Sequence, residues 1–397
     1  MTSLAMTLNR SWMFVGWITI FLVGTDLFIV SPFLPAIGQE VHQPAESLAM
    51  LVSVFSIAYA IACPIQAKFA ERFGVGKVLQ FGILLIGLAN LYTSLAADYS
   101  HLLLSRALAG LGAASISPMI YTLTAERTLP AERAGKLAQV NSGLVIALVL
   151  GAPFGLLLGT FSGWRLVFAG LAVAFLLVLP INNLAWQAET APAGRRGTTG
   201  RVATQEKLSD AVRFFACMIC WSACVYATYT LLPTAMSSEY QVKVSTLASL
   251  LTSYGIGAAL GGLLGGKLAD RIGPATMVRL AFAMMAVTLG VLYFTYPLGS
   301  VNALLINLFL ISLVAYGFFP ALQACAAQRF TVRRPTVMGF LSSSLYVGMT
   351  TGAAVGGQLF GHSGMTQVIL FSTSMALIGL AIASGISNQP TPTARTQ

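Results

Sequence analysis

Long apolar stretches recur along the whole sequence, and they constrain the fold more than any other feature. Each is about 20 residues long, which is enough for a helix to cross a hydrocarbon core of about 30 Å. Hydrophobic residues make up 56% of the 397 residues and charged residues only 9%, against roughly 25% charged residues in soluble proteins. This pattern excludes a soluble globular protein and predicts an all-α polytopic membrane protein.

Twelve membrane-spanning helices are predicted, and one polar stretch divides them into six and six. The predicted spans are 12–35, 47–69, 76–96, 100–124, 137–160, 164–187, 210–236, 244–266, 275–297, 300–324, 336–360 and 364–387. The longest polar stretch, residues 187–209, has a Gly- and Thr-containing composition typical of flexible linkers. We therefore predict an N-terminal six-helix bundle (residues 1–187), a cytoplasmic linker (188–209) and a C-terminal six-helix bundle with a short cytoplasmic tail (210–397).

The Lys and Arg residues in the loops predict the orientation, because short cytoplasmic loops carry an excess of them. With the N-terminus inside, all but three of the 22 Lys and Arg residues fall on the cytoplasmic side. The exceptions are Arg165 and Lys243 on the opposite side and Arg106 within a span. Both termini are thus predicted to be cytoplasmic, in the plasma (inner) membrane. The net charge of +10 follows this asymmetry, so nucleic acid is not predicted as a partner.

Two pairs of matching segments indicate that the two halves are repeats. Residues 67–74 (AKFAERFG) match residues 266–273 (GKLADRIG) at an offset of 199 positions. Residues 151–155 match residues 352–356 at an offset of 201 positions. Parallel repeats of this kind predict a substrate site near the middle of the membrane, where the two halves meet.

Over essentially its whole length the chain resembles the major facilitator superfamily. Residues 266–273 fit that family's G-x-L-a-D-r-x-G loop signature, whereas the first copy has Ala67 and Glu71 in place of Gly and Asp. Residues 106–114 resemble the R-x-x-x-G-x-G motif. The resemblance implies two pseudo-symmetric six-helix bundles and transport of small molecules by alternating access.

Two further segments resemble the exporters of this superfamily. Residues 151–159, followed by residues 163–168, resemble the fifth-helix pattern of exporters rather than importers. Residues 24–35 resemble the first-helix motif of twelve-helix drug:proton antiporters, which include sugar, nucleoside and multidrug efflux permeases. Proton-coupled antiport is therefore the leading hypothesis, with a proton symporter or a lipid flippase of the same fold as alternatives.

Asp26 is the only carboxylate deep within a predicted span, and Arg106 lies at a similar depth in the fourth span. A charge in hydrocarbon costs at least about 2.5 kcal/mol, so such residues usually face a cavity and have a function. Burial favours the neutral form of a carboxyl, whereas a nearby guanidinium favours the charged form. Movement of Arg106 relative to Asp26 would then load and release a proton; the alternative is a static pair that orders two helices.

A second set of residues is predicted to control the change of conformation. By resemblance, the loop segments form a charge relay between the halves, although positive loops alone also explain their basic residues. In the fifth span, glycines at every fourth position and a proline predict a surface for bending and sealing, or simple close packing. The residues are Glu71, Arg72, Gly74, Gly266, Asp270, Arg271, Gly273, Gly151, Pro153, Gly155 and Gly159.

Substrate contacts are predicted from polar and aromatic residues within the spans. An aromatic site with few charges suits neutral, cationic or amphipathic molecules better than anions. Each residue on its own also fits simple packing, because Tyr is common at membrane boundaries. The candidates are Tyr59, Ser115, Ser117, Tyr121, Tyr226, Tyr229, Tyr254, Tyr316, Gln323 and Tyr346.

Other functions are disfavoured by the sequence. Cys217, Cys220 and Cys224 share one helix face, but no His lies at their depth, so no metal site is predicted. No cluster of acid, base and metal ligands predicts an enzyme, and no catalytic residue is assigned. A non-transporting membrane sensor is a remote alternative. We expect no cofactor besides a proton gradient, and a monomer whose partners are its substrate and the lipid bilayer.

Overall fold

The computed structural model describes residues 11–129, 133–186, 208–330 and 334–386, and every secondary-structure element in these ranges is helical. Backbone contacts divide the chain into two compact units. Unit 1 comprises residues 1–205 with 243–248, and unit 2 comprises residues 206–242 with 249–397. The predicted linker lies almost entirely outside the described residues, so its limits stay a prediction.

Within the described residues, unit 1 is built from seven helices and one π-helical segment. The first helix packs against the sixth and the seventh, and the fourth packs against the second and the third. Its elements are α1 (Trp12–Val41), α2 (Ala45–Phe73), α3 (Val75–Leu95), α4 (Tyr99–Ala114), α5 (Ser117–Glu126), α6 (Arg133–Ile146), a π-helical segment (Ala147–Gly151) and α7 (Ala152–Trp186).

Unit 2 repeats this arrangement, since its first helix packs against its last two. Its elements are α8 (Leu208–Tyr240), α9 (Val244–Ile272), α10 (Pro274–Thr295), a 3₁₀ turn (Tyr296–Leu298), α11 (Val301–Arg329), α12 (Arg334–Ser363) and α13 (Met365–Ser384).

Ten helical stretches of the described chain are long and apolar enough to cross a membrane. One of them, Lys136–Trp186, has 51 residues and is broken at Gly163, whose φ of 76° no α-helix contains. It therefore holds the fifth and sixth predicted spans. α12 has 30 residues but does not reach the same apolar content. The fold is that of a multi-helix membrane protein, and the count of twelve crossings stays a prediction.

The fourth predicted span is one apolar helical stretch, Tyr99–Glu126, with a short interruption that divides it into α4 and α5. The chain turns at Ser115 and Ile116, whose backbone N–H groups bond to Gly112 and Ala113, three residues back. Pro118 follows in the first turn of α5. Since proline has no N–H to continue the helical ladder, the α4–α5 break is a local consequence of the sequence.

Backbone geometry at equivalent loop positions supports the internal repeat. Gly74, which ends the first loop signature, has φ 94° and ψ 143°, and Gly273, which ends the second, has φ 90° and ψ 139°. His42 and Gln241, also 199 positions apart, share the left-handed region with φ values of 52° and 50°. The duplication thus extends to turns whose sequences do not match.

A carboxylate at the end of α1 binds the beginning of the sixth predicted span. Glu40 accepts hydrogen bonds from the Trp164 indole N–H (2.7 Å) and from Arg165 Nε (2.8 Å). Both donors come directly after the break at Gly163. An acid near a helix C-terminus is disfavoured by the helix dipole, so these two donors explain its presence.

Unit 2 has an equivalent carboxylate 199 positions later. Glu239, near the end of α8, accepts hydrogen bonds from the Tyr296 hydroxyl (2.6 Å) and from the Met365 backbone N–H (3.3 Å). Met365 follows Gly364, whose φ is 74°. Each unit therefore joins the end of its first helix to the beginning of its last predicted span through a glutamate.

Glu40→Ala and Glu239→Ala are each expected to lower the free energy of unfolding by about 1–3 kcal/mol. Each substitution leaves a donor on a buried side chain, the Trp164 indole N–H or the Tyr296 hydroxyl, without its acceptor. Trp164 is 4% exposed and Tyr296 is 2% exposed. The measurement is thermal unfolding of the purified full-length protein in detergent. Glu126→Ala, at an exposed acid at the end of α5, is the control and should stay within about 0.5 kcal/mol; equal losses in all three variants would contradict the assignment.

Candidate functional site

Asp26 and Arg106 form a bidentate ion pair inside unit 1. Arg106 Nη1 lies 3.1 Å from Asp26 Oδ1, and Nη2 lies 3.4 Å from Oδ2. Asp26 is fully buried and Arg106 is 2% exposed. The similar depths of Asp26 and Arg106 in their predicted spans made this ion pair possible, and the structure contains it. Its role in proton coupling stays a prediction.

The R-x-x-x-G-x-G motif of α4 brings Arg106 over an aromatic ring of α2. The Arg106 guanidinium carbon lies 4.7 Å from the centre of the Phe55 ring, within the range of a cation–π interaction. One turn further along α4, Gly110 contacts the backbone so closely that a Cβ would lie 2.2 Å from the Phe55 carbonyl oxygen. The glycine therefore permits the close approach of α2 and α4 that places Phe55 beneath the arginine.

Asp26 is held on a part of α1 that packs tightly against the helices after α6. A Cβ on Gly24 would lie 2.7 Å from the Ala147 Cβ, and one on Gly151 would lie 2.3 Å from Thr25 Oγ1. Ala147–Gly151 is a π-helical segment, a feature that occurs often at functional sites. The backbone around the buried acid is thus fixed by direct helix–helix contact.

The ion pair is only partly satisfied. Arg106 Nε is buried and has no hydrogen-bond partner among the described residues. A buried pair repays its desolvation cost only if further hydrogen bonds satisfy the remaining donors and acceptors. This pair is therefore poorly suited to a purely stabilising role, and an unsatisfied buried donor calls for a functional explanation.

The loop-signature residues lie at the ends of α2 and α9. Glu71, Arg72, Asp270 and Arg271 are all exposed. Gly266 and Pro320 come close together, with a Cβ on the glycine 4.0 Å from the proline Cβ. Their role in controlling the change of conformation stays a prediction.

The glycines at every fourth position after the π-helical segment pack against α1. Cβ atoms on Gly155 and Gly159 would lie 2.0 Å from Ile29 and 2.5 Å from Phe33. The same face thus continues the contact of Gly151 and is filled by α1 of the same unit. This favours the interpretation of close packing; bending at Pro153, which is buried in α7, stays a prediction.

The substrate candidates of unit 1 are dispersed along three elements. Tyr59 is buried on α2, and Ser115 is fully buried at the α4–α5 break. Ser117 begins α5. Tyr121 on α5 donates a hydrogen bond to Asn141 Oδ1 of α6 (2.7 Å). This bond gives Tyr121 a structural partner, so Tyr121 fits helix packing at least as well as substrate contact.

In unit 2 the predicted tyrosines form a cluster. The ring centres of Tyr229 and Tyr254 are 5.3 Å apart, and those of Tyr254 and Tyr316 are 6.2 Å apart. Tyr226 is close enough to interact electrostatically with all three. The Tyr254 hydroxyl is buried and interacts with the side chain of Tyr316, so the cluster places phenol hydroxyls among aromatic rings.

The other two substrate candidates of unit 2 are half-buried on different helices. Gln323 lies on α11, seven positions after Tyr316, which is roughly 10 Å along a helix. Tyr346 lies on α12. Their roles stay predictions.

The cysteines give no support for a metal site. Cys217 and Cys224 are buried, and the Cys217 thiol approaches the Gly379 carbonyl oxygen (3.9 Å). In the part of the chain that the structure describes, no group of three or more His, Cys, Asp or Glu side chains could hold a metal ion.

Two aromatic residues at these sites carry no signal in the sequence motifs. Phe55 lies under the Arg106 guanidinium. Trp221 stacks on Phe318 at 5.5 Å, packs edge-on against Tyr316 at 5.8 Å and donates its indole N–H to the Ala315 carbonyl (2.7 Å). The high aromatic content of these helices is the only sequence signal for Phe55 and Trp221, because the residues that they contact lie on other helices.

The sequence model of the Major Facilitator Superfamily matches this chain twice, at residues 16–235 and at residues 214–397. The chain belongs to the major facilitator superfamily. The two matches agree with the internal repeat, and together they cover the described helices of both units. The protein is therefore a multi-pass membrane protein of a family of small-molecule transporters.

Two relatives and one solved structure are similar to this chain over nearly its whole length. The chain is 24% identical to the uncharacterized MFS-type transporter YceJ of Bacillus subtilis, over 93% of this chain and 95% of YceJ. It is also 24% identical to multidrug resistance protein 2 of the same species, over 91% and 92% of the two chains. The fold resembles a bacterial homolog of the human lysosomal transporter Spinster in its inward-facing, occupied conformation, with a TM-score of 0.74, 16% identity, and coverage of 97% and 99%.

Proposed function

We propose that this member of the superfamily is a proton-coupled antiporter that exports small neutral or cationic amphipathic molecules. The observation that carries the proposal is the buried Asp26–Arg106 pair, whose Arg106 Nε has no acceptor in the part of the chain that the structure describes. Asp26 is the only carboxylate deep in a predicted span. An active transporter without an ATP-binding motif must draw on an ion gradient, and this acid is the group best placed to carry the proton.

The pair provides a way to couple proton transfer to conformation. While the guanidinium faces Asp26, the charged carboxylate is favoured. If Arg106 moves away in the second conformation, the desolvated acid is favoured in its neutral form and takes up a proton. The contacts of Arg106 with Phe55 and Asp26 involve three helices of one unit, so a shift of α4 relative to α1 would separate the guanidinium from the carboxylate.

The substrate class follows from the aromatic cluster of unit 2. Tyr226, Tyr229, Tyr254 and Tyr316 provide ring faces and hydroxyls but no charge. Such surfaces bind apolar rings and cations, through stacking and cation–π contacts, better than anions. The relative that is named a multidrug resistance protein and the exporter-like fifth helix both support export over uptake.

Several further features belong to the same proposal. We place the protein in the plasma (inner) membrane with both termini in the cytoplasm, because nearly all loop Lys and Arg residues then face inward. It acts as a monomer and as a transporter rather than an enzyme. Symport and lipid flipping use the same acid, so the direction of transport distinguishes them from antiport.

Asp26→Asn is expected to reduce proton-driven transport to the background of empty vesicles, because the amide cannot exchange a proton with the two sides. The assay reconstitutes the full chain in proteoliposomes, imposes a pH gradient and measures accumulation of the cationic dye ethidium, followed by sugars and nucleosides. Exchange of dye without a gradient should persist in the variant, which separates loss of coupling from misfolding.

Asp98→Asn is the matched control for this test. Asp98 is an exposed acid that precedes α4 and accepts a hydrogen bond from the His101 backbone N–H (3.0 Å), which lowers the pKa of the Asp98 carboxyl. Asn can keep this cap, so transport should be unchanged. Wild-type coupling in Asp26→Asn would show that the buried acid is not the proton carrier.

A further inference from the structure

A groove of about 420 Å³ runs between α3 and α7 on the surface of unit 1. It does not touch the ion pair or the tyrosine cluster, and the proposed transport does not use it. Its lining residues are Gln80, Phe81 and Leu84 of α3 and Leu179, Pro180 and Asn183 of α7.

The groove faces the hydrocarbon rather than the interior of the unit. Phe81 is 52% exposed and Leu84 is 40% exposed, as expected for side chains in contact with lipid tails. Pro180 lies within α7 and is exposed, and its ring removes one backbone hydrogen bond from this face of the helix. A channel open to the bilayer is thus built into this face.

One end of the groove lies near a membrane boundary. Gln80 is five residues from the beginning of α3, roughly 7.5 Å along the helix, and Asn183 is three residues from the end of α7, roughly 4.5 Å. Both residues line the groove, whose exposed surface is almost entirely apolar. The groove therefore offers apolar contacts, and any charge that selects its occupant must come from beside it.

Lys77 adds a positive charge at the same end. It lies three, four and seven positions before Gln80, Phe81 and Leu84, so it shares their helix face. It is exposed, and no ion pair of its ammonium occurs within the described ranges. A cation in the first turn is opposed by the helix dipole, so the stability of α3 does not account for it.

The N-terminus of α3 itself favours a negative ligand. Its N-cap is Gly74, and no side chain caps the first turn. Backbone N–H groups at a helix N-terminus together with a nearby Lys are a suitable environment for a phosphate. A positive charge at the membrane boundary and an apolar channel deeper in the membrane therefore follow one another in the order of a phospholipid's headgroup and acyl chain.

We propose that this groove binds one anionic phospholipid, with its phosphate at Lys77 and the beginning of α3 and one acyl chain along Phe81, Leu84 and Pro180. Lipid tails are as apolar as the groove walls, so the tail contact gives little selectivity. Selectivity comes from the headgroup, as for basic sites between membrane helices. The lipid belongs to the leaflet on the Lys- and Arg-rich side; only the naming of that leaflet as the inner one depends on the proposed orientation.

The test is native mass spectrometry of the full-length protein, released from detergent with added palmitoyl-oleoyl phosphatidylglycerol or with phosphatidylcholine of the same chains. Wild type should retain one phosphatidylglycerol in preference to phosphatidylcholine. Lys77→Ala should weaken retention of phosphatidylglycerol about five-fold, the equivalent of about 1 kcal/mol for one basic residue near the surface. Retention of phosphatidylcholine should not change.

Two further variants separate the groove from charge in general. Leu84→Trp fills the channel and keeps Lys77, so it should reduce retention of both lipids. Arg279→Ala removes one positive charge from α10 of unit 2, where the guanidinium bonds within its own helix to Thr276 and Ala275, and should leave retention unchanged. Wild-type retention in Lys77→Ala, or an equal loss in Arg279→Ala, would overturn the proposal, as would unchanged retention in Leu84→Trp.

Discussion

Arg106→Met is expected to lower the free energy of unfolding by about 3–5 kcal/mol, because it leaves the fully buried Asp26 without its counter-charge. Most of this loss is the cost of an unpaired charge rather than the net value of the pair. Met keeps much of the volume over the Phe55 ring, so packing contributes little. The measurement is fluorescence-detected thermal unfolding of the purified full chain in detergent.

A double variant distinguishes this explanation from a simple packing defect. Asp26→Leu together with Arg106→Met replaces the pair by apolar side chains, and such replacements are often neutral or stabilising. We therefore expect the double variant to unfold near the wild-type temperature while it transports no protons. If the double variant were less stable than Arg106→Met alone, a static structural role for the pair would be favoured over the proton switch.

Gly110→Ala is expected to destabilise the protein by about 1–3 kcal/mol, the usual cost of overpacking. The added Cβ would lie 2.2 Å from the Phe55 carbonyl oxygen, which is backbone and can move only if α2 and α4 separate. Separation of these helices also shifts the Phe55 ring under Arg106. Proton-coupled transport should therefore fall further than stability alone explains, which the proteoliposome assay and thermal unfolding measure together.

Gly170→Ala is the matched control for this substitution. Gly170 lies in α7 of the same unit, and a Cβ at this position would meet nothing within 4 Å. Because Ala is a better helix former than Gly by about 1 kcal/mol, this variant should be as stable as wild type or slightly more stable. Destabilisation of both variants to the same degree would contradict the role of Gly110 as a close-contact position.

The helices and the internal repeat were predictable from the sequence because they depend on local properties. Apolar length, proline and glycine positions and charged loops are read directly along the chain. The break at Gly163 falls between the fifth and sixth predicted spans. The fourth predicted span matches one apolar stretch, Tyr99–Glu126, but the short interruption before Pro118 was not predicted.

The candidate site was predictable only in part. The rarity of charge in hydrocarbon identified Asp26 and Arg106. Gly110 lies in the motif that begins at Arg106, but its close contact with α2 was not predicted. The sequence contains no mark of Phe55 as the ring under the guanidinium, or of the shared glutamate contacts at Glu40 and Glu239. These depend on which helices pack side by side.

The sequence by itself determined that this chain is a duplicated helical membrane protein with one buried acid and one buried base, because hydrophobic length and the cost of charge in lipid act on each segment separately. Only the tertiary structure decided that the two charges meet, that Arg106 Nε has no hydrogen-bond partner among the described residues and that a groove forms between α3 and α7. Those features depend on contacts between segments far apart in the chain, where close packing at small residues sets which side chains come together.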